Sequence, residues 1–209
     1  MTTGIDRYAA RSSHDVLRLI QEHPLVWVVS TTAGTSPLAT MLPVLPVAGP
    51  EGEVTALVGH FARNNAQLSM LRSEPRAFIL ASGVNGYISP SWLRDRTRAP
   101  TWIYVGAQFT VDIELFDEPG RIGEHLRELV DTMEMGRSDA WRIDEMGARF
   151  HSLSKGVVGF RAVVREMRAR FKLGQDERDS EFHDITLALD GAGGSPLLDW
   201  MKRFNPGRR

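Results

Sequence analysis

Several short stretches of this chain bring together residue types that handle anions or flat ring systems. Gly59-His-Phe-Ala-Arg-Asn-Asn65 stands where an apolar run gives way to a helical pattern. Amides at a helix N-terminus point toward an anion, the helix dipole adds a partial positive charge, and Arg63 can hold a phosphate through two parallel hydrogen bonds. The same residues suit a plainer role, in which Asn64 caps the helix, Arg63 is solvated and His60 packs at an edge; local chemistry alone favours that role. Arg168, Arg170 and Lys172 alternate along one run, with Gln175 just beyond it. Three cations on one strand face either meet phosphate, carboxylate or nucleic-acid backbone, or are only solvated. Thr40-Met-Leu-Pro-Val44 is apolar and interrupted by Pro43, which donates no amide. Its neighbouring backbone groups are open to a ligand edge, unless the run is simply a buried strand. Finally, Trp92 and Trp102 flank a basic loop, Arg94 to Arg98, as an aromatic rim or as the wall of a site for a flat ligand.

Other chemistries lack their residues. The chain has no cysteine, so disulfides, thiolate metal sites and cysteine nucleophiles are absent. Its six histidines are scattered without short metal-ligand spacing, and no metal site is expected. There is no Walker A sequence, no Gly-rich dinucleotide fingerprint and no helical His-Glu-x-x-His pair, and Ser89-Pro-Ser-Trp92 is not a nucleophile elbow. A formal net charge of −1 gives no overall attraction to nucleic acid, so DNA binding would need the local patches at Arg94–Arg98 and Arg165–Lys172. No apolar run is long enough to cross a membrane and no signal-peptide core is present, from which a cytoplasmic location is expected.

The elements that must position these residues follow from periodicity. Helices are expected over 13–20, 64–72, 119–133, 144–153 and 178–189, and strands over 25–32, 38–45, 54–59, 77–81, 108–115 and 157–171. A turn at Ala33-Gly-Thr-Ser-Pro37 joins the first two strands. In the last strand, Phe160, Ala162 and Val164 occupy even positions while Met167, Ala169 and Phe171 occupy odd ones, so a bulge near Arg165-Glu166 is expected. Six strands with helices between them, and no regular βαβ alternation, predict a mainly β, antiparallel barrel decorated by helices. Residues 1–190 are read as one domain and residues 191–209 as a loosely held tail.

In order along the chain, Gly59-His-x-Ala-Arg-x-Asn65, Tyr87-Ile-Ser-Pro-Ser-Trp92, Ala99-Pro-Thr-Trp-Ile-Tyr104 and Arg170-Phe-Lys-Leu-Gly-Gln175 resemble the PaiB family of FMN-binding split-barrel proteins, often labelled negative transcriptional regulators. The resemblance runs from the first helix to about residue 189. It implies a split β-barrel of the pyridoxamine-phosphate-oxidase type, a homodimer holding FMN in clefts at the subunit interface. By the same resemblance, Met41, Leu42, Pro43 and Val44 lie along the flavin edge, where the ring needs both an apolar slot and backbone groups. His60, Arg63 and Asn64 approach the flavin or its phosphate, and Trp102, Lys172 and Gln175 line the same cleft. The chain departs from the family pattern at Ile103, at Val105-Gly106 and at Gly174-Gln-Asp176, where an Asn, a Val-His pair and a Ser-Gln-Asn ending are common.

Three functions follow as expectations: a flavin-dependent oxidoreductase acting on a small molecule, a flavin-linked transcriptional regulator that binds DNA, and a scaffold of the same fold without cofactor chemistry. Bound FMN would carry the redox step, so the sequence demands no dedicated acid or base, although His60 or Tyr104 could relay a proton.

Overall fold

The structure is a computed structural model and describes residues 6–32, 34, 36–191 and 193–208. Six strands, β1 (Leu25–Ser30), β2 (Leu38–Ala48), β3 (Val54–Ala62), β4 (Arg76–Ile88), β5 (Thr101–Phe116) and β6 (Val157–Lys172), close into a barrel in the order β1-β2-β3-β6-β5-β4. The helices are α1 (Ser13–Glu22), α2 (Gln67–Ser73), α3 (Pro119–Glu134), α4 (Arg149–Ser154), α5 (Asp179–Gly191) and α6 (Pro196–Phe204). The expected class, a mainly β antiparallel barrel with inserted helices, is the one the chain forms. The turn expected at 33–37 falls partly on Ala33 and Thr35, which lie outside the described residues. No helix among the described residues is long and apolar enough to cross a membrane.

Two compact units make up the chain. The first comprises Ser13–Ala81 and Gln108–Arg168; the second comprises Ser82–Ala107, Ala169–Arg209 and the N-terminal residues up to Ser12. Because β4 and β5 are longer than the 77–81 and 108–115 expected, each continues into the second unit, and β5 takes up Trp102 and Tyr104.

In the first unit, α1 buries Val16, Leu19 and Ile20 and lies against β2 and β3. Val26 and Val28 of β1, Leu42 and Val44 of β2 and Ile79 of β4 are buried, as alternation requires. Phe61 and Phe160 meet across β3 and β6 with ring centroids 5.1 Å apart. Strand β2 changes partners in mid-course: Leu38–Pro43 pair with β1, whereas Val44–Ala48 pair with β3. Pro43 sits at the changeover, where its missing N–H costs the ladder nothing.

Strand β6 shows the expected change of phase. Phe160 and Ala162 are fully buried at even positions, Phe171 and Leu173 at odd ones, and the four residues Arg165–Arg168 between them are all exposed. Met167, expected on the buried face, is therefore exposed. Asp112 of β5 accepts from Arg76 Nε at 2.6 Å and from Arg165 Nε at 2.7 Å.

Residues 191–209 are not a loose tail, although Ala192 and Arg209 lie outside the described residues. Ser195 caps α6 by accepting from Leu197 N, Pro196 opens the first turn, and Leu197, Leu198, Trp200, Met201 and Phe204 are buried. Phe204 stacks on Phe171 at 5.0 Å with a 7° interplanar angle, and Asn205 Nδ2 donates to the carbonyls of Leu173 and Met201.

Candidate functional site

The turn between β3 and α2 is held by its own chain. Arg63 N donates to Gly156 O, and the Arg63 guanidinium donates to Lys155 O at 2.7 Å, Val157 O at 2.9 Å and the Asp117 carboxylate at 3.2 Å. Arg63 thus ties β3 to the segment entering β6. The helix begins at Gln67 rather than Asn64, and Asn65, not Asn64, accepts from its first amide at 2.8 Å. Asn64 is exposed beside it.

Gln67 is a functional-looking residue that periodicity did not single out. It is fully buried; its Nε2 donates to Val28 O, Ser30 Oγ and Leu38 O, and its Oε1 accepts from the Thr40 hydroxyl. Asn65 Nδ2 also donates to Thr40 Oγ1 at 3.0 Å. This network fixes the turn to β1 and β2 and holds the β2 segment carrying Met41 to Val44. The signal was present in Gln67 sharing a helix face with Leu71, four residues on.

The outer face of this sheet is apolar. Register places Met41, Trp27 and Leu80 side by side across β2, β1 and β4, with Leu25 opposite Pro43 in the next row and Ala39, Val29 and Phe78 in the row beyond. Side chains directly opposite in an antiparallel pair share a face. Trp27, Met41 and Leu80 are 44%, 46% and 41% exposed. An antiparallel strand that faces water alternates apolar and polar residues; LVWVVS is apolar on both faces, which marks both as surfaces to be covered. Leu42 and Val44 point into the core instead, so of the four expected flavin-edge residues Met41 and Pro43 share the outer face.

One residue past the β2–β3 ladder, His60 Nδ1 lies 3.1 Å from His125 Nε2 of α3. Phe116 packs edge-on to His125 with centroids 6.4 Å apart, and its ring lies where a side chain on Gly159 would be. Burial lowers the pKa of His60; burial, then the neighbouring His60, pushes His125 down to about 4. His125 Nδ1 is buried and has no hydrogen-bond partner among the described residues. His125 lies on the Ile122–Leu129 stripe of α3, a position whose spacing alone could have revealed its burial.

In the second unit, Lys172 Nζ donates to the Thr101 hydroxyl and has no ion-pair partner among the described residues. Trp102, 55% exposed, meets Tyr87 edge-on at 5.9 Å. Gln175 closes the turn after β6: its Nε2 donates to Phe171 O and its Oε1 accepts from Leu173 N. Gly174 in that turn has φ +84°, a left-handed conformation that favours glycine. Ile103 is fully buried, so an amide there would need core partners.

The two basic stretches are largely neutralised within their units. Arg165 pairs with Asp112 and Arg168 with Glu166, Arg170 lies over the Tyr8 ring, Arg94 pairs with Asp184 and Arg98 with Glu181.

FMN needs an apolar surface for its ring, hydrogen-bonding groups along the ring's polar edge and a cation for its phosphate. The first unit has the Met41–Trp27–Leu80 row, and beside it a length of β2 before Val44 whose β3 side is outside the ladder. The second unit has Lys172 and the exposed Trp102 and Tyr87 rings. Each unit thus supplies, by itself, groups of the kind FMN uses: an apolar surface and backbone edge in the first, a cation and exposed rings in the second.

The family model described as "Putative FMN-binding domain" matches residues 5–166. Over 183 residues the chain is 25% identical to the "Protease synthase and sporulation protein PAI 2" of Bacillus subtilis, covering 87% of this chain and 86% of that protein. In fold it is similar to the FAD and haem binding protein of Mycobacterium smegmatis, with TM-score 0.60, 18% identity and coverage of 90% of this chain and 81% of that one. It is also similar to a flavocytochrome of Azotobacter vinelandii, with TM-score 0.56, 14% identity and coverage of 77% and 68%. With this match across most of its length and this barrel, the chain belongs to the FMN-binding, PaiB-like family of split-barrel proteins, whose cofactor is FMN.

Proposed function

We propose that this chain works as a homodimeric, FMN-dependent oxidoreductase acting on a small molecule, with the cofactor seated against the outer face of β1 and β2. The observation that carries this reading is the uninterrupted apolar face built on Met41, Trp27 and Leu80, which a flat ring and a second subunit would cover together. When bound, FMN supplies hydride chemistry, and the protein supplies position and electrostatics.

Each residue then has a stated task. Met41 and Pro43 present apolar surface beside the β2 backbone edge, held in place by the Gln67–Thr40–Asn65 network. Leu42 and Val44 anchor that edge from the core side. His60, with Nδ1 engaged by His125, offers its Nε2 to the cofactor or substrate; donation from Nε2 requires Nδ1 to accept from His125. In the second unit, Lys172 offers a cation to a phosphate and Trp102 an exposed ring for stacking. Arg63 and Gln175 act one step back, by holding the turns on which Asn64 and Lys172 stand.

Freshly purified protein is expected to carry about one FMN per chain, with an absorbance that bleaches on reduction by a nicotinamide cofactor and returns on oxidation by substrate or air. Protein that stays colourless after incubation with excess FMN, with an unchanged melting temperature, would overturn the reading.

A further inference from the structure

Within the second unit, the end of β4, the loop before β5 and α5 line a solvent-open cavity of about 260 Å³. Ile88, Leu93, Pro100 and Ile185 wall it, and its polar lining is Arg98, Thr101 and Glu177. The first two are already answered. Arg98 Nε lies 2.8 Å from Glu181 Oε1, and Thr101 receives the Lys172 ammonium. Neighbouring carboxylates are answered too: Asp176 by the Tyr8 hydroxyl at 2.7 Å, Asp184 by Arg94 and Asp179 by Arg208. Glu177 differs. Its backbone N–H donates to Gly174 O and its carbonyl accepts from Arg208, but its carboxylate has no hydrogen bond or ion pair among the described residues.

We propose that this cavity binds a small organic cation, an ammonium or amidinium on an apolar body, with Glu177 as its counter-ion. The apolar walls bury the body, and a charged N–H donor gives the Glu177 carboxylate the short, charge-assisted bond it otherwise lacks. The charge balance agrees. Burial, then the nearby Asp176 and Glu181 carboxylates, raise the Glu177 pKa above its ordinary value against the opposing pull of Arg98 and Lys172. At about 260 Å³ the cavity is smaller than the ~300–1,000 Å³ typical of drug-sized ligands, which limits the occupant to a single ring or a short chain. The inference does not rest on FMN. Its connection to the proposed cofactor site is Thr101, which lines the cavity and holds Lys172.

Titration calorimetry on the full chain tests it with three probes of one shape: benzylamine, benzyl alcohol and benzoate. Benzylamine is expected to bind saturably at one site, at least about tenfold more tightly than the alcohol, and benzoate more weakly than either. Glu177→Gln should weaken benzylamine by roughly tenfold or more while leaving benzyl alcohol and the melting temperature unchanged. Ile185→Trp, which fills the cavity, should abolish binding. Equal affinity for amine and alcohol in the wild-type protein, no binding of the amine, or unchanged amine affinity in Glu177→Gln would each overturn the proposal, and the first two comparisons need no variant to fold.

Discussion

His60 Nδ1 and His125 Nε2 are hydrogen-bonded at 3.1 Å across β3 and α3, and neither ring has an ion pair among the described residues. A proton added to either ring therefore places an unpaired charge in a buried contact. Burial holds His60 below its ordinary value, and burial with the adjacent His60 takes His125 to about 4. The folded state thus binds fewer protons than the unfolded chain between about pH 6.5 and 4. The stability from this pair is complete above about pH 6.5 and falls as the pH drops toward 4, by on the order of 2 kcal/mol. Urea denaturation across that range should show a steeper loss in the wild type than in His125→Phe, which removes the larger of the two titrations and leaves that of His60.

Replacing Gln67 by Leu removes the donor of two buried acceptors and one part-buried one, and the acceptor of Thr40. A loss of about 2–4 kcal/mol is expected in chemical denaturation, because Val28 O and Ser30 Oγ are left buried without their donor. FMN content should fall with it, since the same network holds β2 before Val44.

Gly159→Ala would set a Cβ 2.2 Å from the Phe116 ring. The overpacking should cost about 1–3 kcal/mol. Combining it with Phe116→Leu should recover part of the loss, and a double-mutant cycle should show that coupling.

Lys172 and Arg63 should separate cleanly. Lys172→Met is expected to weaken FMN binding by roughly tenfold or more, with little change in melting temperature, because it removes a cation without an ion-pair partner. Arg63→Met is expected to lower the melting temperature, because its guanidinium bridges Lys155, Val157 and Asp117. Equilibrium titration with FMN and thermal unfolding of both variants distinguish the two roles.

The apolar outer face yields a test of assembly. Trp27→Glu alters an exposed side chain and spares the core, so the chain should remain folded but sediment as a monomer and lose FMN. An unchanged sedimentation coefficient would remove this face as the subunit contact.

Much of the architecture was legible in local pattern. Alternation in β5, the stripe of α1 and the phase change in β6 each follow from a few consecutive side chains choosing core or solvent, and the ordered blocks from Gly59 to Gln175 pointed to the family. Even α6 had its signals, Ser195 before Pro196 and apolar residues at helical spacing, though the terminal position disguised them.

The roles of the polar residues were a different matter. Sequence alone determined that Arg63, Gln175 and His60 stood at strand ends where ligands are often held, and that β1 was apolar on both faces. Tertiary structure alone decided that Arg63 is bound to carbonyls and a carboxylate 54 to 94 residues away, that Gln175 closes its own turn, and that His60 faces a second imidazole. Core or solvent preference is a property of a residue and its near neighbours, and so is written locally. A hydrogen bond's partner is set by which distant backbone the fold brings within 3 Å, and no local spacing encodes that.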